Sequence, residues 1–420
     1  MEARYRSTLW ACCFANFFQA VGSCFAILYV PLRGLYGLSF TDFGILVSLN
    51  FITQVASDVL FSKPVEKYGF RPFAVAAPLV SAAGLGLFAA APLLFPRRPF
   101  AGFCAGMFLF AAAGGLQELL LSPILDALPI PEERKARSMS MLHSFFAWGQ
   151  IFVVLATTGL LAVWGAARWQ WIVLLWAAPP VAGAALFCRV PLARKNGGAP
   201  PLPLRALARK GVFYALLAAI VLGGAAEVTM AQWASAFLEK GLRLPKLAGD
   251  VWGVCFFSLM LALGRSGYAA LGARVPLHRL LIGGSGAAAV LYVVCALAQS
   301  PLLGVLACGL TGLCVSLLWP GAIILASRRI PSAGAAMFAL LSAGGDVGAS
   351  LGAFCVGRAA DWAQASGTVF AGAAGESGAL RAGLLLAAVF PLLCCGVHTA
   401  LHCSEARAGL PAGSERRHRQ

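Results

Sequence analysis

Twelve stretches of this chain are each long and apolar enough to cross a bilayer as a helix, and nothing else in the sequence constrains the fold as strongly. They run near 8–31, 42–61, 72–95, 100–125, 138–163, 168–188, 211–236, 249–271, 277–298, 301–327, 333–357 and 382–402. About 20 residues of helix, rising 1.5 Å each, cross the ~30 Å hydrocarbon core. Inside lipid, backbone N–H and C=O groups find partners only in helices or closed barrels. Helical spans therefore predict an all-α membrane protein. Composition agrees: 60% of the 420 residues are hydrophobic, 11% are charged, and the mean hydropathy is +0.81. A soluble chain is about a quarter charged, so this one lacks the polar surface to face water.

The formal net charge is +16, from 32 Lys and Arg against 16 Asp and Glu. With both termini placed in the cytoplasm, most basic residues fall in the N-tail, the loops after spans two, four, eight and ten, the central linker and the C-tail. That is the positive-inside pattern. The basicity is topological and implies no nucleic-acid partner. The expected location is the plasma (inner) membrane, multi-pass, with Lys240–Lys246 and Gly367–Gly378 outside. The first stretch lacks a small-residue cleavage site and reads as a retained span. The 13 cysteines are scattered, and no Cys-x-x-Cys pair or neighbouring His supplies a metal site. They predict helix packing rather than a metal site or disulfide frame, and no cofactor is expected.

Arg189–Lys210 interrupts the apolar pattern with prolines, glycines and basic residues. It divides the chain into a six-helix bundle at 1–188, a linker at 189–210, a second bundle at 211–404 and a tail at 405–420. The halves repeat weakly at a spacing of about 200 residues, as duplicated transporter units do. Gly69-Phe70-Arg71 returns as Gly272-Ala273-Arg274. Gly115-Leu116 with Pro123 returns as Gly312-Leu313 with Pro320, and Trp148-Gly149-Gln150 aligns with Gly344-Gly345-Asp346.

The loop after span two, Ser62-Lys63-Pro64-Val65-Glu66-Lys67-Tyr68-Gly69-Phe70-Arg71, resembles the Gly-x-x-x-Asp-Arg-x-Gly-Arg-Arg loop of the major facilitator superfamily. It keeps an acid, a base, the glycine and the final arginine. The resemblance implies twelve helices in two pseudo-symmetric bundles, with Glu66, Lys67, Gly69 and Arg71 as a gating clamp. Within that family the chain looks like the fucose–proton symporter branch and related sugar permeases. The residues that carry this are Glu118-x-x-x-Ser122-Pro123, Leu142-His143-Ser144-Phe145 with Trp148-Gly149, Gln232-Trp233 and Trp319-Pro320. Such symporters carry an Asp in span one, four residues before a proline; here Ile27 precedes Pro31 at that spacing.

Ionisable groups within a span are functional candidates by default, because burying them is costly. Glu118 lies ~12 Å deep and His143 ~9 Å deep from the same side, at 1.5 Å per residue, so the two could meet. With Glu227, they are the expected proton-coupling residues. Asp58, Asp346 and Arg265 are expected gating residues. Asp58 ends a polar stripe with Asn50 and Gln54, and Asp346 sits within Gly344-x-x-x-Gly348-x-x-x-Gly352, which favours close helix approach. Solute contacts are expected from the amides Asn16, Gln19, Gln117, Gln150 and Gln232, and from the rings of Trp148, Trp233 and Trp319 stacking on a sugar.

Gly348-Ala349-Ser350-Leu351-Gly352 and Gly284-x-Gly286 imitate enzyme motifs, yet those need a strand, a turn and a helix, and both lie inside spans. The chain is not expected to be an enzyme. The expected function is secondary active transport of a small polar solute of the sugar class, coupled to protons, by a monomer. Facilitated uniport, drug or metabolite–proton antiport and a non-transporting receptor or scaffold remain open. Residues 149–165 lack the proline of the drug-antiporter signature.

Overall fold

The computed structural model describes residues 2–129, 132–192, 207–271, 275–330 and 334–407. Among these residues, twelve helical segments are long and apolar enough to span a membrane. They are α1 (Tyr5–Tyr36), α2 (Phe40–Val65), α3 (Phe70–Leu94), α4 (Pro99–Leu125), α5 (Met141–Trp164), α6 (Ala166–Arg189), α7 (Gly211–Gly241), α8 (Lys246–Tyr268), α9 (Leu277–Leu297), α10 (Pro301–Ala326), α11 (Leu340–Ala365) and α12 (Gly375–Ser404). The described residues contain no strand beyond an isolated bridge between Phe370 and Ala373. Large apolar side chains such as Leu93 (84% exposed) and Val163 (80%) point outward, as a lipid-facing surface requires.

Each expected span falls on one of these helices, and the largest shifts in limits fall on the last two. α11 continues to Ala365 rather than 357, and α12 begins at Gly375 rather than 382. The apolar pattern breaks there at Arg358, Asp361, Glu376 and Arg381, yet the helices carry these charges on. Contacts divide the chain into two compact units: Met1–Ala199 with Pro245–Cys255, and Pro200–Leu244 with Phe256–Gln420.

Glycine sets how closely helices approach inside each unit, and the two units do it in the same register. In the first, a Cβ on Gly115 of α4 would overlap the backbone of Gln54 on α2, and one on Gly149 of α5 would overlap Phe17 on α1. In the second, Gly312 of α10 meets the backbone of Phe257 on α8, and Gly348 of α11 meets Val221 on α7. Gly84 of α3 against Phe110, and Gly284 of α9 against Cys314, form a third matched couple. Both members of each couple recur at the spacing of about 200 residues that marks a duplicated unit. The Gly344, Gly348 and Gly352 face of α11 lies on α7 throughout, the small-residue mode of membrane packing.

The loop between α2 and α3 turns on Gly69, at φ +81°, a conformation L residues rarely adopt. Arg71 then donates to carbonyls at the end of α6: Cys188 at 2.6 Å, Val190 at 2.9 Å and Phe187 at 3.4 Å. A cation at a helix C-terminus meets its unsatisfied carbonyls and the negative end of its dipole. Lys67 sits 5.1 Å over the Tyr68 ring. The side chain of Glu66 lies outside the described residues, as do Gly272–Arg274 and most of the linker.

Gly348→Ala tests this packing. Alanine favours a helix by up to ~1 kcal/mol over glycine, whereas overpacking against fixed backbone costs about 1–3 kcal/mol. The melting temperature of purified protein should fall for Gly348→Ala. It should not fall for Gly159→Ala, where a Cβ meets nothing within 4 Å. Equal melting of the two variants would contradict the packing.

Candidate functional site

In the first unit the embedded acids come together. The Gly115 contact brings α4 against α2, and Asp58 of α2, 4% exposed, interacts electrostatically with the half-buried Glu118 of α4. Neither has a salt-bridge partner among the described residues, and Oδ1 of Asp58 accepts no hydrogen bond there. Gln54 is buried on the same stripe. Glu118 was expected to meet His143; the structure brings Asp58 within electrostatic range of Glu118, and the His143 side chain is exposed.

Three of the five amides expected to meet solute also bind backbone. Asn16 Nδ2 donates to Leu142 O at 2.7 Å, and Gln117 Nε2 to Ala15 O at 2.9 Å. Gln19 Nε2 makes a long 3.5 Å contact to Gly114 O, and its Oε1 is buried without a partner. They tie α1 to α4 and α5, next to a cavity of about 20 Å³ lined by Phe18, Gln19, Ser81, Gln117 and Pro179. That volume suits one water molecule. Gln150 is buried, and Trp148 is 44% exposed.

In the second unit Glu227 of α7 and Arg265 of α8 form an ion pair at 2.6 Å, with side chains 11% and 13% exposed. The sequence explains how the arginine is held. Pro320 of α10 has no N–H to give the carbonyl one turn back, so Ser316 O is free, and Arg265 Nε donates to it at 3.1 Å. The helix breaks locally at Ser316 and Leu317. Oε2 of Glu227 is buried and accepts no hydrogen bond among the described residues. The pair thus leaves one carboxylate oxygen for a proton or a ligand donor. The half-buried Trp319 ring lies against Gly224 and Gly345. Trp233, by contrast, is fully buried and donates Nε1 to Ala353 O at 3.2 Å. Gln232 is half-buried and Asp346 is 1% exposed.

Asp250 escaped the sequence reading. It lies at the start of α8 in a π-helical turn, Asp250–Cys255, that belongs to the first unit. Fully buried, it pairs with Lys246 and accepts from Thr158 Oγ1 at 3.1 Å. The one clue was the i,i+4 spacing of Lys246 and Asp250, which places opposite charges on one helix face. Arg381, 3% exposed, was likewise missed just outside the expected last span. No three or more His, Cys, Asp or Glu among the described residues are grouped to hold a metal ion.

No curated protein sequence matches the chain at a significant level. Its fold resembles that of a bacterial homologue of the human lysosomal transporter Spinster, with TM-score 0.73 at 12% identity, covering 96% of this chain and 98% of that one. It resembles a D-xylose–proton symporter at TM-score 0.74 and 16% identity, covering 92% and 97%. It also resembles the E. coli fucose:proton symporter FucP at TM-score 0.64 and 15% identity, covering 94% and 99%. The model of the Major Facilitator Superfamily matches residues 9–353. With twelve membrane-capable helices, paired glycine registers and buried charges in both units, the chain belongs to the Major Facilitator Superfamily and is a multi-pass transporter of a small solute, not an enzyme.

Proposed function

We propose that this transporter moves a small polar solute of the sugar class across the plasma membrane by alternating access, coupled to protons. The observation that carries the reading is the pairing of Asp58 with Glu118 inside the membrane, without a counter-cation among the described residues. Two neighbouring carboxylates in a dry helix interface are far costlier to bury than a pair sharing a proton. A site that must take up a proton before it closes, and release it when water enters, links proton movement to the transport cycle. Glu227 and Arg265 form the second half of the charged machinery, with Oε2 of Glu227 buried and without a donor among the described residues. The sugar class draws on the resemblance to symporters described as carrying fucose and D-xylose.

A second reading, facilitated uniport, is favoured by Ile27. The position where the resembled symporters place an acid is fully buried here in an apolar cluster with Val154 and Val254, so one proton-carrying group is missing.

Both termini and the linker are assigned to the cytoplasm by the distribution of Lys and Arg. An Asn196→Cys variant in a cysteine-free background should react with an impermeant thiol reagent only after cells are permeabilised. Labelling of intact cells would reverse the orientation.

Glu118→Gln mimics the protonated acid. With a solute identified by its thermal stabilisation of the protein, this variant should lose accumulation driven by a pH gradient and retain solute exchange in proteoliposomes. Accumulation that survives in Glu118→Gln would place coupling elsewhere.

A further inference from the structure

Two thiols meet where α9 turns into α10. Cys295 lies in the last turn of α9 and Cys308 in the second turn of α10, and their sulfur atoms are 3.3 Å apart, both fully buried. Ala298–Ser300 joins the two helices, so the thiols sit on opposite arms of one hairpin. Among the described residues no other two sulfur atoms pair in this way.

The surroundings hold this pair in place. Arg381 of α12 donates to Ala296 O at 3.2 Å and to Ala298 O, fixing the end of α9. One turn earlier, Tyr292 Oη donates to Ala226 O of α7 at 2.7 Å. Arg381 accepts no role in an ion pair among the described residues and interacts electrostatically with Cys295. Forming a disulfide needs the sulfurs to close from 3.3 Å to about 2.05 Å, within reach of side-chain rotation on two helices already in contact.

We propose that Cys295 and Cys308 are a dithiol–disulfide pair, a modification site whose oxidant is a small, lipid-soluble disulfide. Both thiols are closed to water and to lipid in this state, so a small apolar reagent dissolved in the membrane reaches them on local opening of the hairpin. Cys295 sulfur attacks one sulfur of the oxidant, whose S–S bond breaks; the departing thiolate takes up the Cys295 proton. Cys308 sulfur then attacks the Cys295 sulfur of the mixed disulfide, and the second thiol leaves with the Cys308 proton. The protein loses two hydrogen atoms with their electrons, and the oxidant is reduced to two thiols. The product covalently joins the α9–α10 hairpin, and the proposal stands independently of the solute or of proton coupling.

The test treats the full chain in detergent micelles with 4,4′-dithiodipyridine. Remaining thiols are then alkylated after unfolding, and the proteolytic peptides are weighed. The exposed Cys188 and Cys403 report that the reagent has acted. The peptides carrying 295 and 308 should appear joined and lighter by two hydrogen atoms. The joined mass should vanish on reduction, and in both Cys295→Ser and Cys308→Ser. The oxidised wild type should also melt at a higher temperature than the reduced one. Alkylation of both Cys295 and Cys308 after Cys188 and Cys403 have fully reacted would overturn the proposal, as would linkage of Cys295 to any other cysteine.

Discussion

Backbone hydrogen bonding in a medium without water governs this protein before any side chain does. Each span must satisfy its own amides, so the chain is committed to helices, and lipid supplies little hydrophobic drive to bring those helices together. Close backbone approach takes over that role. Gly115 on Gln54 and Gly312 on Phe257 let α4 meet α2 and α10 meet α8 at distances where a single methyl group would collide. Gly149 on Phe17 and Gly348 on Val221 do the same for the other inner pairs. The repeat is thus a repeat of contacts, preserved in register where most side chains have diverged.

Charge can be buried only on a frame of this kind, and the two units bury it differently. In the first, Asp58 and Glu118 oppose like with like, while Asp250 is neutralised by Lys246 and braced by Thr158. In the second, Glu227 faces Arg265, which is itself held by a carbonyl that Pro320 leaves free. The prolines and glycines that punctuate the helices therefore also position the charges. Arg71 and Arg381 follow a third pattern: each binds carbonyls at helix ends rather than carboxylates, so its charge is met by peptide dipoles.

The spans, the two-fold repetition and the acids of the membrane interior were legible in the sequence, because length, hydropathy and local Gly and Pro signals encode them. What each polar side chain bonds to was not. Asn16 reaches Leu142 O and Gln117 reaches Ala15 O across helices far apart in the chain, and such partners leave no local trace. Trp233 and Trp319 look equivalent as sequence, yet one is locked to Ala353 and the other lies on paired glycines. Helix rotation decides such cases. Asp250 and Arg381 were missed because they lie at the edges of apolar windows, where a charge reads as the end of a span although the helix carries it inward.

Proton movement accompanying solute movement is the claim on which the functional account turns. Wild-type protein in weakly buffered proteoliposomes, given hexoses, deoxyhexoses and nucleosides in turn while the external pH is recorded, tests it directly. The account predicts external alkalinisation on adding the sugar that the vesicles take up, abolished by a protonophore. Uptake of a labelled solute with no change in pH would contradict it and leave a uniporter.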